Sequence, residues 1–309
     1  MKTRLLPLIA ALVWAQVQFA SAQVNPPGDG GGGGGTPSGP IPTAPRGSQI
    51  DLVIQHIGTL RLELFDQDKP VTTRNFINYI FNGGYSNSFI HRSLTNFVVQ
   101  GGSLQLITFS GGSQAIAPVP EEAAVTNELT VSRVLSNLRG TIALAHYDGE
   151  TNNGTCHWFI NLADNAWLDA ADTNHAYTVF GRVVSGLELL DKMNPGTNAS
   201  TVTMLDMGGY LTELPVRQGA TAANVTYNDL LTTTYRIVQL EMGVRIAPQP
   251  DGSRNLSWQS VSNFVNTVEY ATSILGPWQT LHTTNGNGAT QTVNDAATGA
   301  QRFYRATYH

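Results

Sequence analysis

Between Ile50 and Leu240 the chain is built from short alternating segments separated by glycine, asparagine and proline, and that pattern restricts the fold more than any other feature. Leu60, Leu62 and Leu64 fall on one face of an extended segment while Arg61 and Glu63 fall on the other, the period of two that a strand imposes. After Pro70 the period changes: Phe76, Ile77, Ile80 and Phe81 recur at helical spacing, and Gly83-Gly84 ends the helix. Leu187, Leu190 and Met193 predict a second short helix around Gly186 to Met193. Mostly strands with two helices suits a closed antiparallel barrel capped at its ends, although periodicity by itself does not separate a barrel from a sandwich.

The last clear strand of this unit is Tyr235–Leu240, and Pro248-Gln249-Pro250-Asp251-Gly252 marks a break after it. The remaining residues, 245–309, read as a small all-β domain, sandwich-like, with strands at Leu256–Trp258, Thr267–Tyr270, Trp278–Leu281 and Arg302–Arg305. Trp258, Tyr270, Trp278 and Tyr304 suit its core better than a sugar-binding platform.

The N-terminus has a basic start, Met1-Lys2-Thr3-Arg4, an apolar stretch from Leu5 to Trp14, and Ala20-Ser21-Ala22 before Gln23. This reads as a secretory signal peptide over residues 1–22, which places the mature protein in the periplasm or outside a bacterial cell. Gln16 and Gln18 interrupt the apolar run short of the ~20 residues a span needs, and no other segment is apolar enough to cross a bilayer. Residues 23–47 carry six glycines from Gly30 to Gly35 and four prolines from Pro37 to Pro45, the composition of a linker. Residues 48–244 then form the main domain. A net charge of −5, with 17 Lys and Arg that nowhere form a run, argues against nucleic acid as a partner. The single cysteine, Cys156, forms no internal disulfide and reads as a small buried residue rather than a nucleophile.

Chemistry concentrates in Phe89–Gly102, where Arg92 and Gln100 sit among apolar residues with no carboxylate in the segment. Such a segment does not suit acid–base hydrolysis. It suits holding an apolar group beside a fixed cationic fork, for a reaction that moves charge within a peptide bond. Val98 and Gln100 are two apart and share a face, as do His157 and Phe159, which leaves Trp158 and Ile160 to point into the core.

This segment resembles the signature of the cyclophilins, a family of peptidyl-prolyl cis–trans isomerases. Gly58–Phe65 and Pro70–Phe76 resemble the family's opening strands and first helix, and Asn137–Ala145, Trp158–Asn165, Trp167–Asp169 and Tyr177–Gly181 resemble its bacterial branch. The resemblance covers residues 50 to 242 and favours the closed barrel of eight antiparallel strands with two capping helices. It implies that Arg92, Phe97, Gln100 and Phe159 are catalytic, with Arg92 donating to the proline nitrogen and Phe97, Val98, Phe159 and Leu168 cupping the ring. Ala145 and His146 would offer main-chain groups to the peptide, and His157, Trp167 and Tyr177 would line its path. His157 stands where the family commonly has glutamine, and a neutral imidazole can mimic that amide's hydrogen bonds. Trp167 matches members that bind cyclosporin, which makes that drug a candidate inhibitor. The implied partners are proline-containing peptides and unfolded exported proteins, and no cofactor is implied. A different class of function, a catalytically weak proline-peptide binding or assembly module, fits His157 and the loops that have drifted from the family, such as Ser103–Val119. A metal site made of His146, His157 and His175 lacks ligand spacing on any helix or hairpin.

Overall fold

The computed structural model describes residues 47–308 except 148, 172–174, 261–263, 274–276, 288 and 297–300. The expected signal peptide, and all but the last residue of the expected linker, lie outside the described residues. The chain divides into two compact units, residues 50–236 and residues 237–309 with 47–49.

The first unit carries β1 (Gln49–Ile54), β2 (Gly58–Leu64), helix α1 (Pro70–Phe81), β3 (Arg92–Ser93), β4 (Val98–Gly101), β5 (Leu104–Thr108), β6 (Gln114–Pro118), β7 (Thr141–Leu144), β8 (Trp158–Asn161), β9 (Val179–Ser185), α2 (Leu189–Lys192), β10 (Val202–Leu205), β11 (Leu214–Arg217) and the start of β12 (Thr233–Met242). Its main sheet has the order β12-β1-β2-β9-β7-β8-β4-β3. Ile90 N donates to Leu231 O (3.0 Å) and Thr233 N to Ser88 O (2.7 Å), so the segments leading into the two end strands are joined by single bridges. No continuous ladder closes the sheet there among the described residues. The fold is mainly β with few helices.

The alternation read from β2 holds: Leu60, Leu62 and Leu64 are buried. Its polar face is not simply solvated, because Glu63 is also buried and accepts from Arg182 Nε at 2.8 Å. Asp51 on β1 is likewise buried and pairs with Arg61 and Arg236. These two buried carboxylates thus each have a cationic partner, which compensates their desolvation.

Helix α1 opens on Pro70, where a missing N–H costs nothing. Its N-terminal donors are satisfied from far along the chain: the Glu128 carboxylate accepts from Val71 N at 3.1 Å and Thr72 N at 2.7 Å. Lys69, fully buried, donates from Nζ to the carbonyls of Glu128, Leu129, Val131 and Arg133 at 2.7–3.0 Å. The helix buries Thr72, Thr73, Phe76, Ile77 and Tyr79, whereas Phe81, expected on the apolar face, is exposed. The second helix is a single turn, shorter than the spacing predicts, because Gly186 adopts φ +83° and delays its start.

Segment Ser103–Val119, where the sequence shows little resemblance to the family, forms the β5–β6 hairpin, registered from Leu104↔Pro118 to Thr108↔Gln114. Its Leu106 and Ile116 join Phe89, Leu214, Val216, Tyr227 and Leu230 in one apolar cluster.

The second unit is all β. It holds β13 (Arg245–Pro248), β14 (Arg254–Gln259), β15 (Val265–Ala271), β16 (Gln279–Asn285), β17 (Thr290–Asp295) and β18 (Phe303–Tyr308). One sheet runs β13-β14-β17 and the other β16-β15-β18 with the end of β12. The Trp258 ring on β14 lies 6.1 Å from His282 on β16, and its Nε1 donates to Asn266 on β15, so this tryptophan is shared by both sheets. The expected break at Pro248–Gly252 is a tight turn joining β13 to β14, with Gly252 N donating to Gln249 O and Gln249 N to Ser253 O.

Candidate active site

Four strands of the first unit set a row of residues in register: Arg92 faces Gln100 across β3 and β4, Gln100 faces Phe159 across β4 and β8, and Phe159 faces Ala143 across β8 and β7. Directly opposed residues of antiparallel strands share a face, so arginine, glutamine and phenylalanine stand side by side. Arg92 is 4% exposed, and its Nη1 donates to Gln100 Oε1 at 2.8 Å. Its Nε donates to Glu213 Oε2 at 2.5 Å. Ser93 N donates to the Glu213 main-chain oxygen, so β3 fixes the arginine and its carboxylate partner together. The sequence reading finds no carboxylate beside Arg92. The structure brings one from the residue before β11, and no pattern within Phe89–Gly102 could have signalled it.

Next to this row Phe97, Val98, Ala145, Phe159, Leu168 and Tyr177 form one buried cluster, with Trp167 packed against it half-buried. Phe97 and Trp167 stack at 5.5 Å, and the Phe159 ring meets Tyr177 edge-on at 5.6 Å. Phe65, Leu135, Ala143 and Val179 complete the cluster; the sequence reading assigned them no role. Leu168 lies on a one-turn 3-10 helix, Ala166–Asp169, held where Tyr177 N donates to Leu168 O and Asn137 donates to the Asp169 carboxylate.

Beneath the cluster runs a relay of buried amides. Asn165 Nδ2 donates to Asn161 Oδ1 at 2.8 Å and to Phe97 O at 3.0 Å, and Asn161 Nδ2 donates to Asn137 Oδ1 at 3.1 Å. All three side chains belong to segments that resemble the family, yet an asparagine between apolar residues carries no signal of function. Their work is to tie β4, β8 and the turn before Leu168 into one rigid frame.

The remaining expected residues lie around this frame. Ala145, expected with His146 to offer main-chain groups to a peptide, has its N–H donating to His157 O at 2.9 Å within the fold. His146 stacks on Tyr177 at 4.2 Å, and its ring nitrogens face the carbonyls of Tyr147 and His175. His157 is buried, with Nε2 3.4 Å from Glu121 Oε1. The hydrogen bond from His157 holds the Glu121 carboxyl below the usual range. His91, beside Arg92, is buried against Ser103 Oγ, and burial pushes its pKa down to about 3, so it stays neutral. Burial pushes the Cys156 thiol up to about 12, which removes it as a nucleophile at neutral pH.

A dry apolar floor with a permanently charged donor braced at its side by Gln100 and Glu213 can bind an apolar ring and stabilise a lone pair that develops next to it.

Comparison with known proteins matches residues 49–208 to the family described as cyclophilin-type peptidyl-prolyl cis-trans isomerase. Peptidyl-prolyl cis-trans isomerase A of Dickeya dadantii is 39% identical over 143 residues, 46% of this chain and 70% of that protein. A peptidyl-prolyl cis-trans isomerase of Acinetobacter baylyi is 34% identical over 138 residues, 45% of this chain and 68% of its own length. A cyclophilin-type isomerase of Cryptosporidium parvum, solved in the presence of the dipeptide Ala-Pro, aligns with 61% of this chain and 98% of its own at 17% identity, with a TM-score of 0.40.

Proposed function

The chain belongs to the cyclophilin-type peptidyl-prolyl cis–trans isomerases, a family of isomerases, and from this we propose that it turns X–Pro bonds by Arg92-assisted stabilisation of the twisted amide. Amide resonance sets a barrier of ~18–20 kcal/mol to rotation. In the twisted state the proline nitrogen regains its lone pair, and a donor that bonds it only there lowers the barrier without tightening the ground state. Arg92 is that donor, because its guanidinium keeps its N–H groups at every working pH. Phe97, Val98, Phe159 and Leu168 receive the proline ring and exclude water, Gln100 braces the arginine, and His157, Trp167 and Tyr177 border the peptide. The observation that carries this reading is the register of Arg92, Gln100 and Phe159 on adjacent strands.

One residue is not the whole account. An acceleration of five decades needs ~7 kcal/mol, and one charge-assisted hydrogen bond supplies ~1.5–3 kcal/mol. Desolvation and orientation in the apolar cup supply the rest.

The same reading extends to the setting. The basic start, apolar stretch and small residues at Ala20–Ala22 support export, and the substrates are then proline-containing peptides and unfolded proteins that fold after crossing the membrane. Among the described residues no helix is long and apolar enough to cross a membrane. The bridges between Ser88–Ile90 and Leu231–Thr233 support a barrel that closes at that seam. Trp167 stacked on Phe97 supports cyclosporin as an inhibitor.

The test is a denatured protein whose slow refolding phase is limited by X–Pro isomerisation. The slow phase should accelerate in proportion to added enzyme and lose that acceleration with Arg92→Ala. An unchanged slow phase at equimolar enzyme would leave a proline-peptide binding module as the better reading.

A further inference from the structure

We propose that Glu121, Cys156 and His157 form a binding site for a zinc-class divalent metal ion. One thiol sulfur, one imidazole nitrogen and one carboxylate oxygen, the donors of these three residues, all lie within 4.8 Å of one another. Neighbouring residues in an extended strand point to opposite faces, but Cys156 and His157 precede β8 in a bend, which lets their donors converge. The bend is fixed from outside: Tyr85 Oη donates to Cys156 O at 2.7 Å, and Asn75 Nδ2 donates to Thr155 O at 2.6 Å.

A second observation points to a ligand. The His157 side chain is 8% exposed, and among the described residues its Nδ1 has no hydrogen-bond partner, which leaves that nitrogen open to a ligand. Its other nitrogen lies 3.4 Å from the Glu121 carboxylate, at the long end for a hydrogen bond. Tetrahedral zinc, with bonds of about 2.3 Å to sulfur and about 2.0 Å to nitrogen, brings donors to roughly 3.5 Å of each other. Glu121 supplies the needed movement, since its side chain is 42% exposed, and Tyr147 Oη donates to its Oε1 at 3.3 Å and orients it. A donor set of one sulfur, one nitrogen and one oxygen suits zinc and its neighbours, not calcium or magnesium, which take oxygen alone. On binding, the thiol proton leaves to solvent and water fills the fourth position. The histidine trio considered from sequence does not assemble: His146 Nε2 is engaged by the main-chain oxygen of His175 instead.

Cobalt(II) is the probe, titrated under nitrogen into the full chain with near-ultraviolet absorption as the readout. The chain has one cysteine, so a thiolate-to-cobalt charge-transfer band reports this site alone. The expected result is a band that saturates at one ion per chain, is displaced by zinc and vanishes in Cys156→Ser. In Glu121→Gln, a change at an exposed side chain that leaves the fold intact, the apparent Kd should weaken at least tenfold. Absence of the band in the folded wild type at a hundredfold excess of cobalt, or a Glu121→Gln titration that overlays the wild type, would overturn the proposal.

Discussion

Arg92 and Glu213, 121 positions apart in the chain, are joined by a hydrogen bond of 2.5 Å between Nε and Oε2. The arginine side chain is 5% exposed and its partner 36%. The carboxylate therefore holds one edge of a buried guanidinium while remaining open to solvent screening itself. It acts through Arg92 and positions it. Glu213→Ala should lower kcat/KM about tenfold, equivalent to ~1.4 kcal/mol, mostly in kcat. Glu213→Gln, which keeps an acceptor, should cost less than threefold. Steady-state kinetics on a short X–Pro peptide separates the two.

Phe159 is fully buried at the centre of the register. Phe159→Ala is expected to cost ~3–5 kcal/mol of stability through transfer and cavity terms, which would mask its effect on turnover. Phe159→Leu preserves most of the volume and removes the flat ring. It should lower kcat/KM by an order of magnitude or more with a small shift in Tm, since the cup must share the barrier lowering with Arg92.

Lys69 tests the frame rather than the site. Its ammonium satisfies four carbonyls between Glu128 and Arg133. Lys69→Met keeps the stem and removes the donors, leaving the buried carbonyls of Glu128 and Leu129 unpaired at on the order of 1–3 kcal/mol each before relaxation. The urea midpoint should fall sharply, while kcat/KM per folded molecule stays at the wild-type value.

The pH dependence of stability follows from His91. Burial, with smaller contributions from His157 and Arg92, pushes its pKa from 6.5 down to about 3. As pH falls below about 6.5 the unfolded chain takes up this proton and the folded chain does not, so the group's contribution is complete above that pH and is lost progressively down to about 3. The slope is about 1.4 kcal/mol per pH unit. Urea unfolding between pH 6 and pH 4 should show that slope reduced by about this amount in His91→Asn. Equal slopes in the two proteins would contradict a neutral buried His91.

Legibility in the sequence followed local spacing. Arg92, Phe97, Val98 and Gln100 lie within one short segment, and period two puts Val98 and Gln100 on one face of β4. Glu213 and Glu121 reach the site across long loops, and nothing in their neighbourhood marks them. Glu128 is similarly invisible as a helix cap, because the capping rules concern adjacent residues and this cap is supplied from 56 positions away. In the second unit β14, β15, β16 and β18 overlap the expected strands, but β13 and β17 were not read. All four residues of β13 are exposed, so it has no apolar alternation, and Pro248 reads as a breaker although it ends an edge strand. In β17, Val293 is the one apolar residue among polar ones, which removes the periodic signal.

The most direct measurement is NMR exchange at the X–Pro bond of a short peptide with the wild type and with Arg92→Ala under identical conditions. The account predicts cis–trans exchange faster by several decades with the wild type, reduced at least a hundredfold in the variant while the peptide still binds. Equal exchange with the two proteins, both folded, would contradict the role of Arg92.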